Sequence, residues 1–382
     1  MDGWSITDRR STLRHSMSTL FKDLFSDDFY DSLSGVLIDV IPNFNRKEFT
    51  SRIFCEEFEG YELKQRITHT TKVLHQFMPE QFDEAVEYLL TLVKRLESAD
   101  IKPDSLEYLF LAEYIERYGI NDYNKAIAAF EVVTPFITCE FAVRPFIVKY
   151  EREMLAQMTL WASHQNRRVR RLASEGARPR LPWGMALSSL KQDPSPLLPI
   201  LLLLKGDECE AVRRSVANSL NDIAKDNPHF VIQFAKTHYG QSDNTNRLIK
   251  HACRTLLKNA DPDVLQLFGF DSRGIYMSAF DIKNPKVKVG TDLNFSFCVH
   301  NQNDEPKKLR LEYAVYYKKQ NGSLSRKVFK ISEREIEANS QYLVERKQSF
   351  KIITTRKFHL GGHQLSIILN GLELAKKEFE LI

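Results

Sequence analysis

Trp161–Trp183 reads WASHQNRRVRRLASEGARPRLPW, and the triplet inside it, Val169-Arg170-Arg171, returns as Val212-Arg213-Arg214 and as Ile249-Lys250-His251. The returns come after 43 and 37 residues, and an alanine follows each triplet (Ala173, Ala217 and Ala252). Leucines and small residues continue each one at helical spacing. A period of this length belongs to HEAT-type helical hairpins, which stack into a solenoid whose second helices line a concave face. The recurring basic pair would then line one groove, three times over.

Outward from this stretch, apolar residues keep the helical period to about residue 270. Phe82, Val86, Leu89, Leu90, Val93 and Leu96 form one stripe with Glu and Lys opposite. Prolines sit at element edges, at Pro79, Pro103, Pro194 and Pro228. Beyond residue 275 the period falls to two. Leu293, Phe295, Phe297 and Val299 alternate with polar residues, as do Leu309, Leu311, Tyr313, Val315 and Tyr317. Asn321-Gly322 and Asn370-Gly371 are hairpin signals. About seven short strands predict an immunoglobulin-like β-sandwich, without the Cys–Trp–Cys hallmark because Cys298 is the one cysteine there. The expected architecture is multidomain, α then β: an α-solenoid of HEAT-like repeats over 1–272, then a sandwich over 273–382.

The chain's 382 residues suffice for two cores, and 43% hydrophobic with 27% charged residues is the composition of a water-soluble protein. Five scattered cysteines with no CxxC pair fit a reducing compartment. The opening MDGWSITDRRSTLRHS lacks the apolar core of a signal peptide, and the run Leu197–Leu204 is too short to span a bilayer. These features predict a cytoplasmic protein, nucleoid-associated when on DNA, with no membrane partner.

The charge is local. Arg144 to Arg180 holds nine Lys/Arg against three Asp/Glu. Residues 1–270 hold 34 basic against 37 acidic, and residues 271–382 hold 20 against 13. One basic strip on a mildly acidic body, followed by a basic second half, suggests a polyanion held along one surface. Arg167, Arg168, Arg170, Arg171, Arg178 and Arg180 match phosphate oxygens in forked geometry. A surface helix paired with Glu175 and nearby acids is the plainer reading of the same residues.

Walker, GxGxxG, GxSxG and HExxH motifs are absent, and His359 and His363 read as structural, so no metal or cofactor is expected. What remains is a set of carboxylates. In PFITCEFAVRPFI (135–147), Glu140 stands one helical turn before Arg144 in an apolar setting. Glu113 and Glu116 lie in EYIERYG, and Asn218, Asn221 and Asp222 follow the second basic pair by one to two turns. Each has a structural alternative, as an ion pair, a solvated face or a cap.

TCEFAVRPFI, WASHQNRRVRRLASEGARPRLPW and VRRSVANSLNDIAKDNP resemble the signature segments of the bacterial alkylpurine DNA glycosylases of the AlkC family. The tail, with AVYYKKQNGSLSRKVFKI and GGHQLSIILNG, is similar to the Ig-like domain of that family's longer members. The resemblance spans essentially the whole chain. It implies a monofunctional glycosylase, acting as a monomer, that removes cationic N3-alkylated bases such as 3-methyladenine and 3-methylcytosine from double-stranded DNA. Relatives in the HEAT-like superfamily grip DNA on the concave face without a deep base pocket.

For such a reaction a carboxylate near C1′ stabilises an oxocarbenium-like sugar and orients water. The position of its segment makes Glu140 the first choice, with Glu113, Glu116 and Asp222 behind it. The WxxxD-type motif of AlkD-like members is absent, which keeps that choice open. The implied DNA contacts are Arg144, Arg170, Arg171, Arg178, Arg180, Arg213, Arg214, Asn218, Asn221, Lys250 and His251, with Trp161 and Trp183 offering indole faces to a cation. Trp161 reads equally as core or as site, whereas Trp183, after Pro179 and Pro182 in an expected loop, leans towards the site. Neighbours on a helix point about 100° apart, so one of each basic pair should turn inward. The basic tail suggests further contact with DNA backbone. A non-catalytic HEAT-repeat nucleic-acid-binding module, or a scaffold for an acidic protein, would share the arginines but would not need Glu140.

Overall fold

A computed structural model describes residues 21–99, 101–352 and 357–382, so the reading of the N-terminal sixteen residues lies outside it. The described residues hold sixteen α-helices followed by eight strands, arranged in two compact units, Met1–Asp222 and Ile223–Ile382. Among them, no helix is long and apolar enough to cross a membrane.

In the first unit, helices start where a polar side chain accepts from the open N-terminal amides. Asn45, Asp122 and Asn166 do this for Arg46–Ile53, Tyr123–Val133 and Arg167–Glu175. Helix Phe82–Ser98 buries Ala85, Val86, Leu89, Leu92, Val93 and Leu96, so Ala85 and Leu92 join the expected stripe and Leu90 stays half-buried. Helices Leu63–His75, Leu109–Gly119 and Tyr123–Val133 pack in series, which brings Thr68 beside Glu113.

The second unit begins with four helices, the second of them Asp243–Ala252, and the strands follow from Ile275. The strands are β1 (Ile275–Ile282), β2 (Lys286–Val287), β3 (Asp292–Asn301), β4 (Lys307–Lys318), β5 (Leu324–Ile336), β6 (Ser340–Ser349), β7 (Gly361–Leu369) and β8 (Leu372–Leu381). They form a three-stranded sheet, β1-β3-β6, and a five-stranded sheet, β2-β8-β7-β4-β5. The predicted alternation closes the core: Leu293, Phe295, Phe297 and Val299 of β3 share one cluster with Leu309, Leu311, Tyr313 and Val315 of β4. At the β7–β8 turn, Asn370 and Gly371 both have positive φ, and a Cβ on Gly371 would meet that of Ala260 at 2.3 Å. Only glycine fits there.

Helices and strands of this unit are also joined by charge. Lys250 pairs with Glu333 of β5, and Lys308 donates to the Phe268 carbonyl at 3.0 Å. Glu333 also meets Arg310 at 2.7 Å and Lys330 at 2.9 Å, while Arg310 holds the buried Glu312 at 2.6 Å.

Candidate functional site

Within helix Arg167–Glu175, Val169, Leu172 and Ala173 face the core, so the two arginines between them diverge. Arg170 turns to the frame. It grips Asp207 through Nε at 2.6 Å and Nη2 at 3.1 Å, and donates to the carbonyls of His164 and Gln165. Arg213 repeats this at the same offsets, donating to the carbonyls of Asp207 and Glu208. In both repeats the first arginine braces the turn five and six residues before it. The second one faces out: Arg171 is half-buried, and Arg214 is exposed and paired with Glu210 at 2.8 Å.

Arg171 donates through Nη1 to Glu140 at 2.7 Å, and Glu140 also accepts from the Thr138 hydroxyl at 2.9 Å. Arg171 stands 3.8 Å from Glu175, which in turn holds Arg178 at 2.6 Å. Arg178 reaches Asp222 at 2.9 Å. Glu175, Arg178 and Asp222 are buried, so this half of the network belongs to the frame. Arg144 is fully buried, donating to the Gly176 carbonyl and through Nε to the Met185 carbonyl, each at 2.7 Å. Burial, helped by Arg178, lowers its pKa to about 10, which leaves it cationic at neutral pH. It holds the 176–185 loop from behind.

That loop presents Trp183, 60% exposed and with φ of +66°, a left-handed conformation that a bulky side chain rarely adopts. Lys64 donates to the Trp183 carbonyl at 2.5 Å, and Phe21 meets the indole edge-on. Trp161, by contrast, is 1% exposed with its indole N–H on Glu131 at 2.9 Å, a core residue.

Two adjoining concavities lie between these groups. One, of about 410 Å3, is lined by Asp104, Glu140, Arg167, Arg168 and Arg171. The other, of about 400 Å3, is lined by residues that include Lys64, Glu113, Glu116, Arg117, Phe141 and Trp183. Leu106 and Thr138 belong to both walls. The first suits an anion, having three guanidinium groups against two carboxylates. Arg168 there pairs with Asp104 at 2.9 Å, while among the described residues Arg167 has no ion-pair partner. The second sets Glu113 and Glu116 against Lys64 and Arg117 and adds the Trp183 indole face, the one feature there that attracts cations whatever the carboxylates do.

The two carboxylates of the second cavity differ. Glu113 accepts from Thr68 at 2.7 Å and from Arg117 at 2.9 Å. Glu116 has no hydrogen-bond partner among the described residues. Burial pushes its carboxyl up to about 7, Glu113 pushes the same way, and Arg117 and Lys64 pull back. No cluster of three or more His, Cys, Asp or Glu among the described residues could hold a metal ion.

The structure thus brings Glu140, Arg171, Glu113, Glu116 and Trp183 to one stretch of the first unit. It draws Arg144, Trp161, Arg178 and Asp222 inside, and it directs Arg170 and Arg213 to inter-helix turns. Asn221 is buried, and Arg180 and Asn218 are half-buried in the same unit. In the second unit His251 is half-buried and Lys250 is paired with Glu333. Sequence reasoning gave no site role to Lys64, Thr68 or Thr138, nor to Arg167 and Arg168 individually. A lone lysine or threonine on an amphipathic helix carries no local signal for such a role.

Comparison with known proteins agrees with this architecture. The family model described as "DNA alkylation repair enzyme" matches residues 45–256, and the C-terminal Ig-like domain of the uncharacterised protein YhaZ matches residues 276–382. The Bacillus subtilis (strain 168) protein YhaZ, described as uncharacterised, is 39% identical over 92% of this chain and 96% of its own. The alkylpurine DNA glycosylase AlkC of Pseudomonas fluorescens, bound to DNA containing an abasic-site analogue, matches with a TM-score of 0.89 and 32% identity. That match covers 95% of this chain and 100% of the other. With its helical repeats, its Ig-like sandwich and this extent of identity, the chain belongs to the DNA alkylation repair enzyme family.

Proposed function

We propose that the chain is a monofunctional DNA glycosylase that hydrolyses the N-glycosidic bond of cationic N3-alkylated bases, 3-methyladenine and 3-methylcytosine, in duplex DNA. The observation that carries this reading is an arginine-lined concavity adjoining one that offers carboxylates and an indole face, with Leu106 and Thr138 common to both. A damaged nucleotide offers a matching pair of charges, phosphate on one side and alkylated base on the other. An abasic site is what base removal leaves behind, so the AlkC structure with an abasic-site analogue supports the same reading.

A base alkylated at N3 already carries positive charge. When the C1′–N bond breaks, the electron pair neutralises the base, so no acid has to protonate it. The positive charge moves to the sugar, where a carboxylate stabilises it. Glu140, beside the arginines that would hold the phosphate, would face the sugar. It would orient the water that adds at C1′ and gives up its proton. Glu113, fixed by Thr68 and Arg117, and Glu116 would face the cationic base beneath Trp183. Arg167, Arg168, Arg171 and Arg214 would meet phosphates.

The test is base release from methylated duplex DNA, resolved by chromatography, for wild type, Glu140→Gln and Glu113→Gln. Wild type should release 3-methyladenine, and Glu140→Gln should do so on the order of 10²–10³-fold more slowly while still binding undamaged duplex. Equal release by Glu140→Gln would transfer the role to Glu113 or Glu116. No release by a folded, DNA-binding wild type would overturn the glycosylase reading in favour of a binding module.

A further inference from the structure

Arg171 and Glu140 form an ion pair at the wall of the arginine-lined concavity, and they differ from every other pair in their network. Arg170, one residue away, is 11% exposed and committed to Asp207 and two carbonyls, so it has no freedom to meet a ligand. Arg171 is 33% exposed. Its other carboxylate neighbour, Glu175, lies 3.8 Å away and keeps Arg178 at 2.6 Å whatever Arg171 does. Arg178 in turn keeps Asp222. Glu140 retains the Thr138 hydroxyl and loses only its cation. Glu140 is 13% exposed, so the departing guanidinium leaves one part-buried carboxylate, still held by Thr138, while every other pair of the network stays closed.

The surroundings say what it would leave for. Arg167 and Arg168 line the same concavity, and Arg167 has no ion-pair partner among the described residues. An anion entering there finds one unpaired guanidinium already present and a second that is one-third exposed and gives Glu140 a single hydrogen bond. A backbone phosphate accepts the guanidinium fork in two parallel hydrogen bonds, whereas Glu140 now receives one.

We propose that Arg171 is an exchange residue: a DNA phosphate displaces Glu140 from its guanidinium, and gripping the backbone is what unmasks the carboxylate. In the free protein the charge of Glu140 is neutralised by its partner. With phosphate seated, the same carboxylate stands unpaired beside the sugar that follows that phosphate. Arg171 is then a positioning residue that acts through Glu140. The use made of the freed carboxylate rests on the glycosylase reading, but the exchange itself does not.

Undamaged duplex DNA tests the exchange without any base release. The dissociation constant is measured across a salt series for wild type, Glu140→Gln, Arg171→Gln and the double variant, each checked for folding by thermal melting. Glu140→Gln removes the competitor, so affinity should rise about fivefold. Arg171→Gln should weaken binding and flatten the slope of log Kd against log salt by about one unit, the signature of one lost phosphate contact. The double variant should bind like Arg171→Gln alone, because there is then no arginine to release. Unchanged affinity in Glu140→Gln together with an unchanged slope in Arg171→Gln would overturn the exchange and make the pair part of the frame. If either single variant melts early, Arg171→Lys keeps the charge without the fork and should retain the wild-type slope at reduced affinity. A wild type that shows the exchange but releases no base would remove the glycosylase reading and leave the exchange standing.

Discussion

The helices Arg167–Glu175 and Asp243–Ala252 each carry a basic pair at matching places, Arg170-Arg171 and Lys250-His251, with different surroundings. In the first, Arg170 braces a turn while Arg171 remains half-buried at a concavity, sharing a hydrogen bond with Glu140. In the second, Lys250 is bound to Glu333 of β5, a carboxylate that Arg310 and Lys330 also hold. A recurring basic pair therefore marks the repeat and not the ligand. What decides availability is the acid that the rest of the fold brings opposite each side chain.

The sharpest way to break this contrast lies within the first helix. Arg170→Ala leaves Asp207, whose side chain is almost wholly buried, without its cation and deprives two carbonyls of their donor. Such a loss costs about 3 kcal/mol, read by urea unfolding, yet the salt slope of DNA binding in the folded protein should stay at the wild-type value. If the slope falls by one instead, Arg170 meets phosphate and the division between frame and groove fails.

The same division separates Glu113 from Glu116, and pH exposes it. Glu116 is raised from 4.5 to about 7, mainly by burial, so between those values the folded chain keeps a proton that the unfolded chain releases. Stability therefore falls as pH rises through this window, and the penalty is complete above about 7. Glu116→Gln removes the ionisation. It should stabilise the protein by on the order of 2 kcal/mol at pH 8, and the gain should vanish as pH falls towards 4.5. A gain independent of pH would mean that Glu116 finds a cation in solution and is committed like Glu113.

Periodicity made the fold legible, because burial acts on every residue of a stripe at once. The β3 and β4 alternation and the Asn370-Gly371 turn needed only local rules. The site was legible in part. That one arginine of each pair must turn inward follows from helix geometry, but which one depends on Asp207, a residue 37 positions later. Trp161 and Trp183 flank one segment, and only the packing around Glu131 and the left-handed turn at Trp183 tell core from rim. The state of Glu116 depends first on burial, which leaves no trace in EYIERYG, and only then on Glu113 and Arg117 of that segment and on the distant Lys64.

The smallest effect falls on the second helix of the comparison, and its smallness is the argument. Lys250→Met removes one of three cations from Glu333 and leaves Arg310 at 2.7 Å and Lys330 at 2.9 Å. The cost should stay below about 1 kcal/mol, near neutral pH. As a depressed carboxylate, Glu333 contributes its stability above the unfolded value and loses it as pH falls, so the small deficit of Lys250→Met should shrink further in acid. In DNA binding the variant should keep the full wild-type salt slope. A slope reduced by about one would return Lys250 to the phosphate contacts, in contrast to Arg170, its counterpart in the first repeat. An unchanged slope would leave Lys250, like its counterpart Arg170, committed to a carboxylate of its own unit.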